Sequence, residues 1–109
     1  MSSPRLPNYL RANRKRLALS QDEAAFLLGS QSGAKVSRYE CFMREPSLET
    51  ALAYEVIFKR SVSELFDGLY QRIEAEVTAR AKILAKRKFG KQNQLTKRKI
   101  ESIAELAAA

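Results

Sequence analysis

The chain has no histidine among its 109 residues. The commonest general base and the commonest metal ligand are therefore both missing. There is one cysteine, Cys41, so neither an internal disulfide nor a multi-cysteine metal site can form. That usage fits a reducing, cytosolic compartment, and Cys41 reads as structural, not as a reactive thiol. No apolar run approaches the roughly 20 residues that cross a bilayer. The opening "MSSPRLPNYLRANRKR" has no apolar segment of the secretory kind. Glycines are few and form no phosphate-cradling loop, and no cofactor or metal site is suggested. An enzyme is not expected, and no membrane partner is.

What is present is positive charge. Lys and Arg number 20 against 12 Asp and Glu, a net charge of +8. A polyanionic partner is the natural expectation, nucleic acid first. The 45% apolar share is enough to build a core. Alternating β-branched runs are absent, so the chain reads as all-α.

Pro4 and Pro7 keep the first residues out of a helix, and Asn8 can cap the first one, "YLRANRKRLA". Leu10, Arg14 and Leu17 share a face there. Ser20 with Glu23 three residues later is a capping box, and the second helix, "QDEAAFLLG", should stop at Gly29. Ser32 caps a third, "GAKVSRYE". Pro46 breaks the chain and Ser47 caps the fourth, where Leu48, Leu52 and Val56 form a stripe. Ser63 is expected to cap a short fifth helix that Gly68 ends. Ala25 is small where the second helix must let the third cross. Val36 and Tyr39 give the third helix its buried side, and Lys35 and Arg38 point away from it. Cys41, Phe42 and Met43 are expected in the core.

A longer sixth helix follows, with Leu69, Ile73, Val77 and Leu84 at helical spacing and no clear stop before Gly90. A short last helix lies within "LTKRKIESIAELAAA". Between Ala79 and Ile100 stand nine basic residues and no acidic one. That cluster could be a solvated face, a clamp on the DNA backbone or a site for an acidic protein. The expected division is residues 1–68 as the DNA-binding domain and residues 69–109 as a basic helical extension for dimerisation or partner binding. Leu69, Ile73, Val77 and Leu84 form the only long apolar surface left once the five-helix core is assigned, so they are the expected dimer seam.

The ordered set "LSQDEAAFLLG", "VSRYE", "EPSLETALAYEVIF" and "SVSELF" resembles the Cro/lambda-repressor-type helix-turn-helix family over about residues 9 to 68. The resemblance implies a five-helix domain that binds double-stranded DNA, usually as a dimer on a palindromic operator. It implies that Gly33, Ala34, Lys35 and Arg38 face the bases. Gln21 then anchors the DNA backbone and braces the recognition helix. Gln31, Ser32, Ser37 and Arg44 are expected at phosphates, and Arg14 and Glu40 as a structural ion pair. The expected function is a transcriptional regulator, a repressor in the bacterial or phage manner, working as a homodimer in the cytoplasm at the nucleoid. The alternatives are an antitoxin-like protein whose extension neutralises a toxin, and an adaptor that uses the fold for protein contact. Two departures stand out. Gly29 to Val36 is seven residues where the family usually has six, so either Gln31 or Ser32 could open the third helix. Phe42 stands where the family favours glycine. A phenylalanine resists the left-handed conformation, so another path into the fourth helix is expected.

Overall fold

A computed structural model describes residues 8–30, 32–91 and 93–108. Every element among them is helical: α1 (Leu10–Arg16), α2 (Gln21–Leu27), α3 (Gly33–Glu40), α4 (Leu48–Phe58), α5 (Val62–Leu65), α6 (Asp67–Ala85) and α7 (Gln94–Ala107). No helix among the described residues is long and apolar enough to cross a membrane. The chain divides into two compact units, one ending at Tyr70 and the other starting at Gln71, so the division falls inside α6.

In the first unit, Leu10, Tyr39, Tyr54, Phe58 and Leu65 form one buried cluster, with Leu28, Ile57 and Phe66 packed around it. The Tyr39 ring meets the Tyr54 ring edge-on at 6.3 Å, and the Tyr54 and Phe58 rings lie 5.4 Å apart. A smaller cluster of Ala24, Ala25 and Val36 closes α2 onto α3. Polar bonds pin the ends together. The Tyr9 amide donates to the Leu65 carbonyl at 2.8 Å, and Arg16 Nη2 to the Phe58 carbonyl at 2.9 Å. Glu55 Oε1 accepts from the Val62 amide.

The stripe of Leu48, Leu52 and Val56 does not enter this core: these residues are 74%, 49% and 75% exposed. The buried side of α4 is Ala51, Tyr54 and Phe58. Because α4 carries apolar residues on both sides, periodicity alone cannot choose between them. The stripe of the extension is therefore not the only uncovered apolar surface.

Four helices end through a left-handed residue, and only one of those residues is glycine: Ala18 (φ 59°), Gly29 (φ 79°), Phe42 (φ 61°) and Lys59 (φ 56°). Phe42 thus takes the conformation that its side chain was expected to refuse. The Met43 amide reaches the Arg38 carbonyl at 2.9 Å and the Phe42 amide reaches that of Tyr39 at 3.2 Å. This pair of bonds is a Schellman cap, and it satisfies carbonyls that the end of α3 would otherwise leave open. Ala18 and Leu19 repeat it on α1, and Gly29 and Ser30 on α2. The cap also turns the chain outward, so Cys41, Phe42 and Met43 are exposed and do not join the core.

Three further boundaries differ from expectation. Ser61, not Ser63, caps α5: its Oγ accepts from the Glu64 amide while Glu64 Oε1 accepts from the Ser61 amide. Gly68 does not end a helix but lies in the first turn of α6, where its amide needs no intrahelical partner. Asn8 Oδ1 accepts from the Leu10 amide at 3.1 Å, one residue outside the formal cap position at Tyr9.

In the second unit, Ala81 and Ile103 are the buried residues of α6 and α7. α6 stops at Ala85, before Gly90, through tightened bonds from the Lys86 and Arg87 amides to the Ile83 and Leu84 carbonyls. Asn93 caps α7 by accepting from the Thr96 amide at 2.9 Å.

Candidate nucleic-acid interface

The polar, small and basic residues that open α3 are held from beneath by α2. Ser20 Oγ accepts from the Glu23 amide at 3.0 Å, and Glu23 Oε1 accepts from the Ser20 amide at 2.8 Å. The backbone bond from Ser20, then its hydroxyl, holds the Glu23 carboxyl below its usual range. Ser32 starts α3: its Oγ accepts from the Ala34 amide at 3.0 Å. The Gly33 amide donates across to Asp22 Oδ1 at 3.1 Å, which ties the first amide of α3 to the first turn of α2.

Gly33, expected to face the bases, is instead buried against α2. A Cβ there would meet Asp22 Oδ1 inside van der Waals contact, and would lie 3.2 Å from the Asp22 nitrogen and the Gln21 carbonyl carbon. Its φ is not in the left-handed region, so glycine is needed here for space, not for conformation. Ala24 and Ala25 serve the same close approach around Val36.

The other end of α3 is locked by charge. Arg14 Nε donates to Glu40 Oε2 at 2.6 Å and Arg14 Nη2 to Glu40 Oε1 at 3.0 Å, a bidentate and buried pair. Arg14 Nη1 also donates to the Leu19 carbonyl. The hydrogen bond to Glu40 raises the Arg14 pKa above its usual value, against the opposing effect of burial. Gln21 Nε2 donates to Glu40 Oε1 at 3.2 Å, so α1, α2 and α3 converge on one carboxylate.

With α3 fixed at both ends, its outer face is set. Ala34 and Arg38 are exposed, and Lys35 is half-buried beside them. Together with Gly29, Ser30 and Ser32 these residues line an open groove. Ser37 is half-buried on α3, and Arg44 is exposed in the link to α4. Gln31 lies outside the described residues. Gly29 and Ser30 were not foreseen as lining this groove; they arrive because the Schellman cap of α2 turns them toward α3. Asp22 was also missed, although a short carboxylate in a helix's first turn is well placed to accept a neighbouring amide.

In the extension, Ile73 and Val77 are 44% and 42% exposed, while Leu69 and Leu84 are half-buried. Among the described residues no group of three or more acidic, cysteine or histidine side chains could hold a metal ion. No protein family, curated protein or solved structure matches the chain.

Proposed function

We propose that this protein is a sequence-specific transcriptional regulator that reads double-stranded DNA with α3 of a helix-turn-helix domain. The observation that carries the reading is the immobilisation of α3. Asp22 holds its first amide, Arg14 and Gln21 hold its last carboxylate, and alanines seat its inner face. Such a helix presents Ala34, Lys35 and Arg38 at a defined angle. Arg can bond a guanine edge in bidentate fashion, Lys can reach guanine or phosphate, and Ala can touch a thymine methyl. Gln21, braced on Glu40, would position the domain at a phosphate, and Ser32, Ser37 and Arg44 would add further backbone contacts. Selection of bound fragments from a random duplex library tests the reading. Enrichment of a defined site supports it; no enrichment over the starting pool refutes it.

On this reading the protein acts as a homodimer, because one unit covers a half-site and dyad-related units span about 34 Å, one helical turn. The partly exposed Ile73 and Val77 supply an apolar seam on α6. Ile73→Glu with Val77→Glu should convert the dimer to monomer in sedimentation and abolish tight binding to the paired site. A variant that stays dimeric moves the seam elsewhere, with the exposed Leu48–Leu52–Val56 stripe next in line.

A further inference from the structure

The link between α6 and α7, residues 86–93, and the start of α7 carry seven cations: Lys86, Arg87, Lys88, Lys91, Lys97, Arg98 and Lys99. All seven are exposed, and among the described residues none pairs with a carboxylate. No acidic residue occurs from Val77 to Ile100. Lys99 Nζ lies over the Phe89 ring, 5.3 Å from its centre, so the link folds against α7 and the two groups of charge share one place.

Lys86, Arg87 and Lys88 follow the C-terminus of α6, where cations are favoured, but Lys97, Arg98 and Lys99 stand near the start of α7. A helix N-terminus carries partial positive charge and favours acids. α2, α4, α5 and α6 carry acids in their first turns (Asp22 and Glu23, Glu49, Glu64 and Asp67), whereas α1, α3 and α7 carry none. α7 has no acid in its first turn, and three cations follow at once. Of these three cations Lys99 meets the Phe89 ring, and the remaining charge gains nothing from the helix end it sits on.

We infer that this basic link is a second DNA-binding surface, one that takes the phosphate backbone of duplex DNA without reading its sequence. All seven cations stand exposed in one stretch of chain, so the ligand they suit is an extended polyanion, not a small phosphate compound. Duplex DNA offers about one charge per 1.7 Å of its axis, and each neutralised phosphate releases bound counterions. The inference extends the DNA reading to residues that α3 does not use.

The test uses the full chain on a random-sequence duplex, followed by anisotropy between about 50 and 200 mM salt. The variant Lys86→Gln/Arg87→Gln/Lys88→Gln should flatten the slope of log affinity against log salt by about 0.9 per lost phosphate contact, two to three in all. Its fold is checked by thermal unfolding, and Lys97→Gln should melt no lower than the unsubstituted chain. An unchanged slope overturns the inference and leaves the α3 reading intact. A flattened slope in a protein that enriches no sequence supports it and sinks the α3 reading. Binding to anionic phospholipid vesicles without binding to duplex overturns it.

Discussion

Gly33→Ala is the sharpest probe of how α3 is set. The added methyl collides with the Asp22 carboxylate and sits 3.2 Å from two backbone atoms of α2. Asp22 must turn away, which takes the acceptor from the Gly33 amide; a hydrogen bond to a charged group contributes about 1.5–3 kcal/mol. The backbone contacts then push α3 outward by a few tenths of an ångström, and repacking Val36 against Ala24 and Ala25 costs about 1 kcal/mol more. Against this, alanine is favoured over glycine in a helix by about 1 kcal/mol. The net expectation is a loss of about 1–3 kcal/mol, and each kcal/mol lowers Tm by about 4–8 °C in a domain of this size. Far-UV circular dichroism against temperature measures it. Adding Asp22→Ala should not deepen the loss by its own full cost, because the collision is then gone. Gly29→Ala is the contrast: its Cβ meets nothing, but its φ of 79° costs about 1–2 kcal/mol, which Asp22→Ala cannot relieve. A Gly33→Ala protein as stable as the parent would refute the close approach of α2 and α3.

Other outcomes follow from the same geometry. Arg14→Ala or Glu40→Ala alone should cost about 3–5 kcal/mol in denaturant unfolding, whereas Arg14→Met with Glu40→Leu together should cost far less; equal losses would mean the pair matters for more than its charge. The Tyr54 hydroxyl is buried with no hydrogen-bond partner among the described residues, and burial pushes its pKa up, so Tyr54→Phe should raise stability by about 1 kcal/mol, checked by urea titration. The Glu23 and Glu64 carboxyls lie below their ordinary value of 4.5, so the stability they add is present above that pH and lost as pH falls through their lower folded values. Glu23→Gln/Glu64→Gln should therefore show a shallower fall in Tm below that value than the parent; a parallel fall excludes the capping carboxylates. Lys35→Ala and Arg38→Ala should each weaken selected-site binding by about 1–3 kcal/mol and relax preference at particular base pairs, while Gln21→Ala should weaken all sequences alike in competition titrations.

The parts legible in the sequence were those where one local rule acts alone. Ser20 with Glu23, the stop at Gly29 and the small Ala25 describe α2 before any packing is known, and the Val36–Tyr39 spacing finds the inner side of α3. The misses came where two rules compete. Ser61 and Ser63 are both good caps, and only Glu64, three residues after Ser61, distinguishes them. Phe42 and Ala18 carry side chains that disfavour left-handed backbone, yet two cap hydrogen bonds at each outweigh that preference. α4 is apolar on both sides, so its sunken face depends on which residues Leu10, Tyr39 and Leu65 can reach. Gly33 looked outward by helix position, but a glycine has no side chain to present, and its value lies in what it lets approach.

The charge distribution bears on how the two proposed surfaces would share the work. Up to Tyr70 the chain has ten basic and eight acidic residues; from Gln71 onward it has ten basic and four acidic. The unit carrying α3 is thus close to neutral, and part of its positive charge is consumed internally by the Arg14–Glu40 pair. On the proposed reading, a nearly neutral unit would draw little affinity from arbitrary phosphates, so its binding would depend on fitting base edges. A strongly basic extension would do the reverse, adding affinity that is independent of sequence and falls with salt. On the proposed reading the two terms separate: raising salt should lower affinity for all duplexes by a factor set mainly by the extension, while the ratio between a selected site and random DNA changes much less. A ratio that collapses in step with affinity would mean that α3 itself binds chiefly through phosphates, and that the locked geometry at Asp22 and Glu40 serves the fold alone.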